Sequence, residues 1–138
     1  MTDYSVVVDI NAASEHVLGV LCDVERWPEW TASVTSVRRL EDGPFRVGSR
    51  AHVRQPKLLP AVWQVTELDQ QNFTWVTRSP GVRIRAGHLV EANGAGSKVT
   101  LSLQFSGFLG KLVARLYRNL TERYLATEAE GLRRRCEA

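Results

Sequence analysis

A chain of 138 residues, 43% hydrophobic and 24% charged, has the size and balance of one soluble domain (1–138) with a single core. It has no uninterrupted apolar run near the roughly 18 residues of a membrane-spanning helix, which excludes stable membrane insertion. The net charge of +3 would point to nucleic acid only if gathered on one surface; its main cluster, Arg133-Arg134-Arg135, ends the last predicted helix, where cations complement the dipole.

Tyr4 to Ile10 reads as a strand, because Val6, Val7, Val8 and Ile10 are apolar and β-branched. The same N-terminus, MTDYSVVVDI, has no basic stretch leading into an apolar one, so no secretory signal and a cytoplasmic location are expected. Asn11 to Ser14 supplies turn and capping chemistry. Val17, Leu18, Leu21 and Val24 then recur at helical spacing, which predicts a helix over about Ser14 to Cys22. Cys22 and Cys136 stand far apart outside any C-x-x-C pattern, which excludes a cysteine-based zinc site and suggests a reducing compartment. In ERWPEW, Pro28 disfavours helical geometry at Trp27 and suits the first turn of a second short helix. That helix is expected to end near Trp30.

Six β segments follow: Ser33–Leu40, Ser49–Gln55, Ala61–Leu68, Phe73–Ser79, Val82–Glu91 and Lys98–Phe105. The turns between them are too short for parallel crossovers, so an antiparallel meander is expected. The chain closes with a helix from Gly110 to about Arg135, roughly 35–40 Å long at 1.5 Å per residue. Leu112, Val113, Leu116, Leu120 and Tyr124 mark its apolar stripe.

The fold class implied is α+β: a curved, seven-stranded antiparallel sheet around a long C-terminal helix, with two short helices after the first strand. One helix does not fill the hollow of so wide a sheet, and the leftover volume is the usual form of a small-molecule site. Strand alternation lists the inward residues. They are Val53 and Gln55 beside Ala51, Trp63 with Ala61 and Val65, Trp75 with Phe73, and Ile84 and His88 with Ala86 and Val90. Leu101 and Leu103 lie in the last inner row, and Leu116, Leu120 and Tyr124 face them from the helix. Trp30 is expected at the edge of the pocket, with Trp27 as core filling.

His88 is the one histidine on an apolar inner row. It suits a general acid or base, its ordinary pKa being near 6.5, but the favoured reading is a neutral core histidine bonded to a carbonyl or tyrosine. No Asp or Glu at a recognisable spacing completes a catalytic set. No nucleophile elbow, phosphate loop or metal-ligand cluster is present, and no cofactor is expected.

The segments VVVDINAASEHVLGVLCDVERWPEW, VGSRAHVRQPKLLPAVWQVTEL, SPGVRIRAGHLVE and TERYLATEAEGL resemble the START-like, or Bet v 1-like (SRPBCC), superfamily. Within it they are similar to bacterial proteins of the polyketide cyclase/dehydrase type. The resemblance implies the helix-grip fold and a hydrophobic small-molecule ligand. It also makes Pro56, Leu58, Leu59 and Pro60 a gating loop; the alternative is that the leucines fold down on the core. Ser106 to Gly110 would form another part of the mouth. Three functions stay open: a lipid or small-molecule carrier or sensor; a cyclase or dehydratase in which His88, with Tyr124, moves protons; and an interaction module with a closed cavity and exposed Leu58 and Leu59. A homodimer is compatible with each.

Overall fold

A computed structural model describes residues 2–138, with only the backbone of Thr2. The first strand, β1 (Thr2–Ile10), leads into α1 (Ser14–Cys22) and a 3-10 helix (Val24–Glu29). Six strands follow: β2 (Ser36–Arg39), β3 (Arg50–Arg54), β4 (Ala61–Leu68), β5 (Asn72–Ser79), β6 (Val82–Asn93) and β7 (Gly96–Ser106). The chain ends in α2 (Gly110–Leu116) and α3 (Arg118–Glu137). The strands form one seven-stranded sheet in the order β1-β7-β6-β5-β4-β3-β2, with every pairing antiparallel. This is the helix-grip architecture.

Local chemistry accounts for the meander. Between β6 and β7 a two-residue loop, Gly94-Ala95, joins the paired Asn93 and Gly96, and Gly94 takes a φ of +63° that other residues resist. A register shift between Val65 and Glu67 interrupts the β4–β5 ladder. Such a bulge bends and twists a strand, which helps the sheet curl. Alternation then sets the two faces. Ala51, Val53, Trp63, Val65, Phe73, Trp75, Ala86, His88, Val90, Val99 and Leu101 are all buried on the concave side. Arg50, Arg54, Gln64 and Lys98 are exposed.

Two expectations about the helices need correction. The C-terminal helix is not continuous: it breaks at Tyr117, whose φ of −102° and ψ of 16° leave the helical region. No proline or glycine announces the break. The turn lets α2 follow the sheet rim, buried through Gly110 and Ala114, while α3 packs against β1, β7 and α1. The other correction concerns Pro28, which does not divide two helices. Asp23 (φ −84°, ψ 66°) does so, and Pro28 lies inside the 3-10 turn. The three-residue period of that turn puts Val24, Trp27 and Trp30 on one buried side.

The core occupies one end of the concave face. Val17, Leu21, Val90, Val99, Leu101 and Leu132 are fully enclosed there, where α1 and α3 lie over the sheet. At full burial each such side chain contributes about 1.5–3 kcal/mol. Gly131 lets α3 come this close: a Cβ at that position would stand 1.9 Å from the Trp30 carbonyl oxygen.

Candidate functional site

The other end of the concave face is hollow. A cavity of about 580 Å³ lies between β3–β7, the 3-10 helix, α2 and α3. Trp27, Trp63 and Trp75 form an aromatic wall, and Val53, Ala86, Leu103 and Phe105 continue it along the strands. The Trp75 ring centroid lies 5.8 Å from Trp63 and 5.4 Å from Trp27. The helices contribute Val113, Tyr117, Leu120, Tyr124, Leu125 and Glu128. Arg78, Ser79, Leu59 and Pro60 line it too and are exposed, so they mark its mouth.

Of the residues expected at the site, Val53, Gln55, Leu58, Leu59, Pro60, Trp63, Trp75, Ile84, His88, Leu103, Leu120 and Tyr124 line this cavity. Four do not. Trp30 lies behind Trp27, 5.5 Å from it between ring centroids, and packs on Gly131 of α3. Trp27 takes the cavity position instead; its Nε1 is tied to the Leu21 carbonyl at 2.9 Å, so the ring presents only its apolar body. Leu101 is sealed in the solid end of the core. Leu116 is 70% exposed, because the break at Tyr117 turns that side of α2 to solvent. Pro56 contributes its carbonyl, which accepts a hydrogen bond from the Tyr124 hydroxyl. That bond ties the β3–β4 connection to α3. In the same connection Lys57 adopts a φ of +68°. Leu58 is half-buried and Leu59 is 89% exposed, so of these two lining leucines one is partly covered and the other stands bare at the mouth.

At the inner end of the cavity His88 is enclosed, with 3% of its side chain exposed. It pairs with Phe73 across the β5–β6 ladder, and its ring stacks on that phenyl at 4.7 Å. Its Nδ1 lies 2.7 Å from the Phe73 carbonyl oxygen. A carbonyl only accepts, so Nδ1 carries the hydrogen and Nε2 holds a lone pair. Burial lowers the His88 pKa to about 4, offset only in part by the bond to Phe73. Nε2 lies 3.9 Å from Oε2 of Glu128, whose side chain is 14% exposed. Burial raises that carboxyl to about 7. The gap is too long for a direct hydrogen bond, and a small oxygen atom between the two groups would reach both.

Glu128 is the ionisable cavity residue that spacing did not reveal. A signal was present: Thr121, Leu125, Glu128 and Leu132 follow each other at intervals of four, three and four. This puts a carboxylate on the buried stripe of α3. Sequence order hides its partner, since Glu128 and His88 come from different elements 40 positions apart.

Among the described residues no group of three or more His, Cys, Asp or Glu could hold a metal, and no helix is long and apolar enough to cross a membrane. The arginine run at the end of α3 is largely paired. Arg133 meets Glu130 and Glu137, Arg134 approaches Glu130 at 3.7 Å, and Arg135 reaches Glu29 at 2.8 Å.

A search of curated proteins gives no significant match. Among solved structures, TTHA0849 from Thermus thermophilus superposes with a TM-score of 0.78 at 17% identity, covering 98% of this chain and 97% of the other. The Zhui aromatase/cyclase from Streptomyces sp. R1128 gives 0.76 at 16% identity, covering 99% and 93%. A START superfamily protein from Mycobacterium smegmatis gives 0.75 at 15%, covering 96% and 97%. At such identities the likeness establishes the fold alone. Residues 1–137 match the family described as polyketide cyclase / dehydrase and lipid transport, and the chain belongs to that family.

Proposed function

We propose that the protein binds a hydrophobic small molecule with an aromatic or polyketide-like body. The cavity carries this reading. Its volume of about 580 Å³ falls within the roughly 300–1,000 Å³ of drug-sized ligand sites, and an apolar lining with few polar groups is their usual composition. Three tryptophans along one wall suit a flat ring system. The family and the aromatase/cyclase structures support the same class of ligand. An interaction module with a closed cavity fits poorly with this hollow.

Native mass spectrometry of protein purified from its own host tests the reading by seeking a co-purified apolar molecule. Titration with the fluorescent probe anilinonaphthalene sulfonate supplies a second measurement. Ala86→Phe, which projects a ring into the cavity, should weaken probe binding at least about tenfold, on the scale of one buried aromatic contact. Unchanged binding in that variant would remove the cavity from the function.

A second reading is favoured by the His88–Glu128 pair: cyclisation with loss of water. Neutral His88 Nε2 would take a proton from a carbon beside a ketone. Glu128, half-protonated near neutrality, would give its proton to the carbonyl oxygen under attack as the carbon–carbon bond forms. In the dehydration, Glu128 as carboxylate would take the second carbon-bound proton, and the imidazolium would return its proton to the departing hydroxyl as water. Both groups then regain their starting states. His88→Gln and Glu128→Gln should each cut turnover by about 10²–10⁴-fold while probe binding persists. Retained turnover in both variants would remove the pair from the chemistry, and absence of turnover in the wild type would leave a carrier or sensor as the function, with Leu58 and Leu59 as its gate.

A further inference from the structure

The rim of the cavity carries large apolar side chains that stand exposed. Phe108 is 87% exposed, Leu116 70%, Leu112 54% and Leu59 89%. Phe108, Leu112 and Leu116 do not line the cavity, but their neighbours Val113 and Tyr117 do, and so does Leu59 from the opposite connection. Phe108 rests over the β5–β6 turn, where a Cβ on Gly81 would come within 2.9 Å of its ring. These residues therefore border one opening. Large apolar side chains grouped this way are rare on a surface that meets only water.

Charge narrows the partner. The α2 sequence GKLVARL contains no acidic residue. Lys57, Lys111, Arg115 and Arg118 neighbour the apolar side chains in sequence, and among the described residues only Arg118 of the four has an acidic partner, Glu122 at 3.3 Å. A second copy docked by a two-fold axis would bring these cations against themselves. Leu59 and Phe108 project as separate, almost bare side chains. A protein partner would need a shaped pocket for each, whereas the acyl boundary of a bilayer accepts them without one. Cations around apolar anchors match a surface of anionic headgroups.

We propose that this face docks on anionic lipid membranes, with Phe108, Leu59, Leu112 and Leu116 entering the headgroup–acyl boundary and Lys57, Lys111, Arg115 and Arg118 meeting the headgroups. Docking sets the cavity mouth against the lipid. An apolar ligand then passes between bilayer and cavity without crossing water. That passage rests on the proposed ligand-binding function; the docking does not.

Flotation of the full chain with vesicles tests the proposal, using phosphatidylcholine with and without about 30% phosphatidylglycerol. The wild type should float with the anionic vesicles, less with phosphatidylcholine alone, and less as salt is raised. Phe108→Ser combined with Leu112→Ser should weaken partitioning at least about tenfold, as loss of buried apolar area requires. Lys111→Glu combined with Arg115→Glu should do the same. Both pairs are exposed and outside the cavity lining, so anilinonaphthalene sulfonate binding should stay at the wild-type level. That readout separates failed docking from failed ligand binding. Absence of flotation with anionic vesicles at low salt would overturn the proposal, as would variants that float like the wild type. A dimer in sedimentation equilibrium that Phe108→Ser/Leu112→Ser abolishes would assign the face to a second copy and also overturn it.

Discussion

The two ends of the concave face are built from the same strands and differ in what covers them. At one end α1 and the C-terminal half of α3 press Leu21 and Leu132 onto Val90, Val99 and Leu101, all of them sealed from solvent. At the other end α2 and the start of α3 bridge the sheet through Val113, Leu120 and Tyr124, and a cavity of about 580 Å³ remains. His88 and Leu101 are direct partners across β6 and β7. The histidine lines the hollow and the leucine does not, so the boundary runs between them. The fold thus keeps its stability and its capacity to bind in separate places. A side chain can be lost or added at the hollow end without opening the packing that holds the sheet.

Substitutions probe that division directly. The largest effect belongs to the solid end. Leu101→Ala should cost about 2–5 kcal/mol, because a close-packed site leaves a new void; urea denaturation measures it. A loss below about 1 kcal/mol would erase the distinction. Glu128→Gln comes next and depends on pH. Burial raises this carboxyl from 4.5 to about 7, so the unfolded chain gives up the proton first as pH rises past 4.5. The native state is then progressively disfavoured until pH 7. Glutamine removes that cost. It should stabilise the protein by on the order of 3 kcal/mol above pH 7 and leave it unchanged below pH 4.5. Thermal unfolding across that range decides it.

His88 acts in the opposite sense. Its folded pKa, about 4, lies below the ordinary 6.5. The stability that goes with its neutral state is present above pH 6.5 and lost as pH falls toward 4. His88→Gln should therefore flatten the acid side of the stability profile. At the hollow end Leu103→Ala should cost about 1 kcal/mol, since this half-buried side chain already borders empty space. A cost equal to that of Leu101→Ala would mean the cavity is filled by packing in solution. Smallest of all, Leu59→Ser should change folding stability by less than about 0.5 kcal/mol, its side chain being almost bare.

Periodicity and turn chemistry were enough to read β1, α1 and the meander, because side chains alternate every two residues in a strand and recur every 3.6 in a helix. They also assigned Trp63, Trp75 and His88 to the concave face. Single-element periodicity says which side a residue takes, but not what stands opposite. Trp27 and Trp30 share one side of a 3-10 turn, and only the approach of Gly131 decided that Trp30 packs on α3 while Trp27 meets the cavity. Leu112 and Leu116 obey the apolar stripe of a continuous helix. The break at Tyr117, set by the path α2 takes along the sheet rim, turned them outward. Glu128 stood in plain sequence three residues after Leu125 and became the neighbour of His88 only when α3 crossed the sheet. Local sequence determined the elements and their faces, since those depend on nearest-neighbour sterics and burial. The tertiary structure alone decided which faces meet, where the hollow lies and which ionisable groups share it, because each depends on contacts between residues distant along the chain.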